Sequence, residues 1–215
     1  FADGAVEGRK PVEPPRVAFA FTGQGSQYAG MGRELYERSA IFKAATHACR
    51  APFLEATRCE LLDVLFDERA SRLDDTAIAQ PALVAIETWL AQTLIELGVR
   101  PSAVFGHSVG EFSAACVGGV LTVVDAIRLN ARRRELMQRT PPGAMLGVAT
   151  DEATAAAELA PHVATVSIAA VNGPLAVVLS GPSDAIACLE TRFVERGIRA
   201  KRLEVTRAFH SPLMQ

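Results

Sequence analysis

The chain has 215 residues, 49% of them hydrophobic and 21% charged, with a formal net charge of -2. This balance suits a globular chain with one full core and a smaller second lobe. It offers no basic field to a nucleic acid, because the 22 lysines and arginines are scattered apart from the run Arg132-Arg133-Arg134. Cys49, Cys59, Cys116 and Cys188 lack C-x-x-C spacing and have no histidine at ligand spacing, so they read as small buried hydrophobes of a reducing compartment, with neither disulfide nor zinc expected. No signal peptide is evident and no apolar run approaches the roughly 18 residues of a membrane span, so the expectation is a cytoplasmic protein that engages no membrane.

In chain order, residues 1–15 (FADGAVEGRKPVEPP) combine charge, glycine and proline without periodicity and are expected to be a linker from an upstream domain. RVAFAFTG, from Arg16, alternates like a strand, and the Gly-rich GQGSQYAGMG that follows predicts a turn leading into a helix near Arg33–Ser39. Helical patterns fill most of the stretch to Gly98, including Gln80–Leu97 with Leu83, Ile86, Leu90, Leu94 and Leu97 at helical spacing. A short strand, Ala103–Gly106, runs into Ser108 and a helix from Gly110 to Gly118, and another helix is expected over Val123–Arg139. After Pro141-Pro142 the rhythm becomes strand, helix, strand, strand, helix, strand, which predicts a ferredoxin-like unit over 141–207, inserted into a large lobe of 16–140 and 208–215. The expected fold class is α/β, with an α/β-hydrolase-like large lobe on a parallel sheet and an inserted βαββαβ small lobe.

GHSVG carries the strongest chemical signal. A glycine at each end permits a sharp strand-to-helix turn, which exposes the Ser108 hydroxyl at a helix N-terminus and aims the Val109 N–H at an incoming oxyanion. A tight turn with a capping serine fits the same residues. A nucleophilic serine needs a base, and the chain offers His47, His107, His162 and His210. His47 and His162 have no special neighbours, and His107 adjoins Ser108 on a turn whose successive side chains diverge, so it is placed to line a pocket. His210, in the loop AFHSPLM, is the remaining candidate, against the alternative of a loop histidine without a role. On the Val123–Arg139 helix, Arg133 shares a face with Ala126, Leu129, Leu136 and Met137, and a guanidinium on an apolar face requires a partner. A ligand carboxylate or a structural acid such as Glu111 would both serve.

The motifs GQGSQYAGMG, AQPAL (Ala79–Leu83), GHSVGE, RRRELMQ and AFHSPLM, in that order and at that spacing from about Arg16 to the last residue, resemble the acyltransferase family of fatty-acid and polyketide synthases. RPSAVFGHSVGEFSAA and the Pro-rich leader are in the style of the integrated domains of modular polyketide synthases. The resemblance implies a ping-pong transfer in which Ser108, activated by His210, takes the acyl group from malonyl-CoA and yields it to the phosphopantetheine thiol of an acyl carrier protein. Phosphopantetheine arrives on that partner, and no cofactor is bound by the chain itself. By the same resemblance Arg133 holds the extender carboxylate, the Val109 and Gln24 amides form the oxyanion hole, and Gln80 lies near the acyl pocket.

In this family a backbone carbonyl from a downstream segment orients the histidine, and the large lobe normally continues past AFHSPLM, so the chain resembles the larger part of such a domain, with flanking synthase domains such as a ketosynthase. A tetrad ending Phe-His suggests malonyl and one ending Ser-His methylmalonyl. Arg207-Ala208-Phe209-His210 therefore points to malonyl, with Phe209 filling the space of an α-methyl group, while Arg207 departs from the family's usual histidine. The rivals are a serine hydrolase or thioesterase using the same Ser-His pair with water, against which Arg133 argues, and a non-catalytic scaffold fragment.

Overall fold

The computed structural model describes residues 15–67, 72, 73 and 75–215, so the expected linker falls outside the described residues apart from Pro15. By its internal packing the chain divides into two units, 1–134 and 135–215. This division differs from the expected one at both ends of the small lobe. It falls inside a continuous helix rather than at 140/141, and residues 208–215 group with the second unit.

In unit 1 the strand β1 (Ala18–Phe21) is followed by α1 (Arg33–Arg38), α2 (Ala40–Thr57), α3 (Leu61–Phe66), α4 (Thr76–Glu96), β2 (Ala103–Gly106) and α5 (Gly110–Val117), and the unit ends within α6 (Val123–Arg139). β1 and β2 pair in parallel, Ala18 opposite Ala103 through Phe21 opposite Gly106. Parallel strands need a crossover of a dozen or more residues, and the helices α1–α4 supply it. They build a core of Phe42, Cys49, Phe53, Leu61, Leu65 and Trp89, joined by Ile127 of α6. Trp89 meets Phe42 edge to face at 5.8 Å and donates its indole N–H to the Cys49 sulfur at 3.1 Å.

The central element is α4. Asp75 caps its N-terminus by accepting the Ala77 N–H at 2.9 Å, and the helix is buried continuously from Ala77 to Ala85. By length and composition its 21 residues would suffice to cross a bilayer, which amends the expectation that no such run exists; 67% of its most apolar stretch is buried inside the protein, as befits a core helix.

Unit 2 holds the remaining elements, β3 (Ala144–Val148), α7 (Glu152–Leu159), β4 (Ser167–Gly173), β5 (Ala176–Gly181), α8 (Ser183–Glu195) and β6 (Ala200–Arg202). The sheet order β4-β5-β3-β6 is wholly antiparallel and is the ferredoxin-like arrangement that the sequence predicts. Leu146, Val148, Val177 and Leu179 on the strands pack against Ile186, Leu189 and Phe193 of α8 and Ala155 and Leu159 of α7. The last residues are held to this lobe by a bridge between Pro142 and Arg207 and by Ala208, fully buried against Gly143, where an added Cβ would stand 2.6 Å from the Ala208 Cβ.

Candidate active site

The β2–α5 turn is built so tightly that only glycine fits at either end. A Cβ on Gly106 would fall 2.1 Å from the Gly110 carbonyl carbon, and one on Gly110 would fall 2.5 Å from the Phe21 carbonyl oxygen and 2.6 Å from that of Thr22. Both obstacles are backbone, so neither can step aside. Between them Ser108 adopts φ 53, a left-handed conformation that costs a residue with a Cβ on the order of 1 kcal/mol. Three non-glycine residues have positive φ among the described residues, namely Arg58, Ser108 and His210. Arg58 ends α2, where that conformation is common; the other two are candidate catalytic residues in turns.

The turn is secured on every side of Ser108. The His107 N–H donates to the Phe21 carbonyl at 2.9 Å, the Glu111 carboxylate accepts the Gly106 N–H at 3.1 Å, and the Gly110 N–H returns to the His107 carbonyl at 3.0 Å. Val109 is 1% exposed and precedes α5, so its N–H lies at the positive end of that helix. Neither the Val109 nor the Gln24 N–H donates to a protein acceptor among the described residues. His107 lies against the loop after β1, where a Cβ on Gly23 would come 2.6 Å from its Nδ1. Glycine at 23 is thus what lets that loop approach the Ser108 turn.

Gln24, Gln80 and Arg133 form a chain of side chains. Gln24 donates to the Thr76 hydroxyl at 2.9 Å and accepts from the Gln80 amide at 3.0 Å, and the Gln80 carbonyl in turn accepts from Arg133 at 3.3 Å. Gln80 is buried and Arg133 half-buried. Among the described residues no carboxylate pairs with Arg133, and burial holds its guanidinium below its ordinary pKa. Glu111, the structural acid considered from sequence, is engaged with the Gly106 N–H instead. The expected helix face needs correction: Leu129 and Leu136 are 48% and 49% exposed, while the buried positions of α6 are Ala126, Ile127 and Asn130. Arg133 sits one turn beyond Asn130 along that face, which accounts for its half-burial.

His210 and Phe209 belong to unit 2. Their loop is fixed by the Ser211 hydroxyl, which donates to the Ala208 carbonyl at 2.7 Å and accepts the Leu213 N–H at 3.3 Å, leaving His210 exposed at φ 60 and Phe209 half-buried. Arg207, the departure from the tetrad, donates to the carbonyls of Thr206 at 3.2 Å and Gln138 at 3.0 Å. Its charge is therefore engaged with backbone oxygens. His47 sits between the Tyr36 hydroxyl at 3.2 Å and Arg50 at 3.5 Å, and His162 closes a short 3-10 turn; both surroundings are structural. The four cysteines are free thiols. Burial raises the pKa of Cys49 and pushes that of Cys116 up to about 11, which leaves both poor nucleophiles at neutral pH.

Sequence reasoning missed Glu87. Its carboxylate accepts the Thr22 N–H at 2.8 Å, the Thr22 hydroxyl at 2.6 Å and the Ser113 hydroxyl at 2.7 Å. The available signal was an acid alone in the apolar run PALVAIETWL, seven residues or two helical turns after Gln80.

A serine in left-handed conformation between two glycine-only positions, on a strand-to-helix turn in the same unit as a half-buried arginine that pairs with no carboxylate among the described residues, marks an α/β chain with a candidate nucleophile turn. The model of the acyl transferase domain family matches residues 18–215, and the chain belongs to that family. It is 44% identical over 202 residues to the phenolphthiocerol synthesis polyketide synthase type I Pks15/1 of Mycobacterium marinum, covering 93% of this chain and 9% of that protein. Among solved structures, the acyltransferase domain from the second module of the salinomycin polyketide synthase superposes with a TM-score of 0.86 at 47% identity, over 96% of this chain and 48% of that one. The malonyl CoA-acyl carrier protein transacylase of Clostridium perfringens superposes at 0.82 with 27% identity, over 93% of this chain and 64% of that one. The chain thus spans about half the length of the salinomycin chain and a small fraction of the Mycobacterium marinum synthase.

Proposed function

We propose that the chain carries the acyl-transfer machinery of a polyketide synthase and moves a malonyl-type extender unit from coenzyme A to the phosphopantetheine thiol of an acyl carrier protein. The observation that carries this reading is the Ser108 turn, whose strained backbone and excluded side chains serve no folding purpose that a relaxed turn would not serve better. The solved structures on which the chain superposes include a malonyl CoA-acyl carrier protein transacylase, which supports the same chemistry here.

In this reading the Ser108 hydroxyl attacks the thioester carbonyl while His210 takes its proton. The tetrahedral oxyanion is met by the N–H groups of Val109 and Gln24, and the C–S bond breaks as coenzyme A leaves with the proton returned by His210. The pantetheine thiol then gives its proton to His210 and attacks the ester, and Ser108 recovers its hydrogen as the acyl group departs. Arg133 holds the free carboxylate of the extender, the anion its half-buried guanidinium lacks among the described residues. Gln80, bonded to both Arg133 and Gln24, links the carboxylate clamp to the oxyanion loop. Phe209 narrows the space beside the α-carbon and favours malonyl over methylmalonyl. A serine hydrolase of neutral esters would have no use for Arg133.

The test is the intact mass of the full-length protein after brief exposure to malonyl-CoA. A malonyl adduct that is absent in Ser108→Ala is expected. A wild-type protein that is folded yet never acquires an adduct would sink the reading.

A further inference from the structure

Glu87 is half-buried on α4, yet it lies at the junction of the two segments that acyl transfer depends on. One carboxylate oxygen takes both the N–H and the hydroxyl of Thr22, the residue directly after β1, and the other takes the hydroxyl of the fully buried Ser113, on the first turn of α5. Thr22 gives its single hydroxyl proton to Glu87, and its oxygen also lies 2.6 Å from the Ser26 hydroxyl. Three protein donors therefore converge on one side chain. An ionised carboxylate is the side chain suited to that, since it is acceptor-only with about four lone-pair sites.

The rest of the local geometry makes this convergence consequential. The end of β1 is pressed against the nucleophile turn through Gly110 and held there by the His107 N–H on the Phe21 carbonyl. Those contacts fix Phe21 and the Thr22 carbonyl, but the chain beyond Thr22 turns away through Gly23 toward Gln24. Glu87 fixes the opposite side of Thr22, two residues before Gln24, and through Ser113 ties that point to the helix that starts beside Ser108.

We propose that Glu87 is a positioning residue for acyl transfer, which bridges Thr22 and Ser113 so that the Gln24 and Val109 amides keep the spacing an oxyanion needs. This rests on the reading that Ser108 forms an acyl-enzyme. It makes Glu87 act on the transition state, where charge develops on the carbonyl oxygen, and leaves binding of the acyl-CoA carboxylate to Arg133. Removing one oxyanion-hole donor outright lowers kcat by about 100- to 1,000-fold, and displacing one costs less. Glu87→Ala should then lower kcat by roughly 10- to 100-fold.

The experiment measures kcat and KM for malonyl transfer, together with the Ser108 acylation rate and the thermal unfolding midpoint, in the full-length wild type, Glu87→Ala, Glu87→Gln and Glu87→Asp. The expected result is a fall in kcat for Glu87→Ala and Glu87→Asp with KM changed less than about threefold, because binding is untouched. Glu87→Gln should recover most of the rate, since its carbonyl still accepts both Thr22 donors and its amide can donate to Ser113. If Glu87→Ala does not fold, the fall in kcat for Glu87→Asp and the recovery in Glu87→Gln decide the matter. A wild-type rate in Glu87→Asp, a loss confined to KM, or a loss in Glu87→Gln as deep as in Glu87→Asp would overturn the proposal while Ser108 acylation in the wild type still stands. A wild type without a Ser108 adduct overturns the underlying reading and the proposal together.

Discussion

In unit 1 two parallel four-residue strands meet a helix so closely that positions 106 and 110 leave no room for a side chain, and polar groups pin the junction from Glu87, Glu111 and the strand carbonyls. In unit 2 four antiparallel strands lie under two helices with a buried apolar cluster of Leu146, Leu179, Ile186, Leu189 and Phe193. The first arrangement holds few atoms in one demanding geometry. The second spreads its stability over many interchangeable contacts. Chemistry requires the former, because a reacting carbonyl responds to displacements of an ångström, whereas an apolar core of the right volume tolerates repacking.

Glycine replacement tests this contrast most severely. Gly110→Ala puts a methyl group into the Phe21 and Thr22 carbonyl oxygens, so the strand and helix must separate; we expect a loss of about 3 kcal/mol or more and no detectable acylation. Gly147→Ala, in β3, meets its nearest atom at 3.6 Å, an ordinary contact, and should change stability by less than about 1 kcal/mol, in the stabilising direction if at all. Denaturant unfolding of the two variants checks both. Equal costs would show that unit 1 is no more exacting than unit 2.

Next in size is Arg133→Ala. A charge-assisted hydrogen bond contributes about 1.5–3 kcal/mol, so kcat/KM for malonyl-CoA should fall roughly 100-fold while acetyl-CoA, which has no carboxylate, is handled as before. A parallel fall for both substrates would make Arg133 a structural cation. Phe209→Ser probes specificity instead: discrimination of one methyl is worth about 1–3 kcal/mol, so the methylmalonyl-to-malonyl ratio of kcat/KM should rise about tenfold. An unchanged ratio would remove Phe209 from the specificity argument.

How much of this was legible in the sequence follows the same division. The βαββαβ unit announced itself through changes of period, because a strand with one buried face alternates and an amphipathic helix repeats at three and four residues. The helix Val123–Arg139 was read to the residue, and the side chains of Thr122 and Asp125 bond each other and cap its start. Periodicity failed where both faces of an element carry apolar residues. Leu129 and Leu136 read as buried and are half exposed. At the site, Ser108 was visible because its glycines are a sequence pattern. Glu87 was not, since its partners Thr22 and Ser113 lie 65 and 26 residues away and nothing local to α4 points to them. Close approach and long-range polar bridging leave no periodic trace.

The smallest effect sharpens the comparison from the side of unit 2. Asp151 caps α7 by accepting the Thr154 N–H at 2.8 Å and its hydroxyl at 3.0 Å, and the Thr154 backbone hydrogen bond, first among the causes, holds its carboxyl below the ordinary aspartate range. A folded-state pKa below the unfolded one means that the cap's contribution is fully present above the unfolded value of about 3.9 and disappears as pH falls through the folded value. Asp151→Asn keeps an oxygen for the cap but cannot titrate. Its unfolding midpoint should therefore lie slightly below that of the wild type at neutral pH, and the gap should close as the pH is lowered through and beneath the ordinary aspartate range. Because the substitution keeps an oxygen for the cap and removes only its charge, the gap should stay far smaller than the loss in Gly110→Ala, and acyl transfer should not change. A pH-independent gap would mean that Asp151 acts through packing rather than charge. A change in acyl transfer would mean that a marginal contact of the small lobe reaches the chemistry.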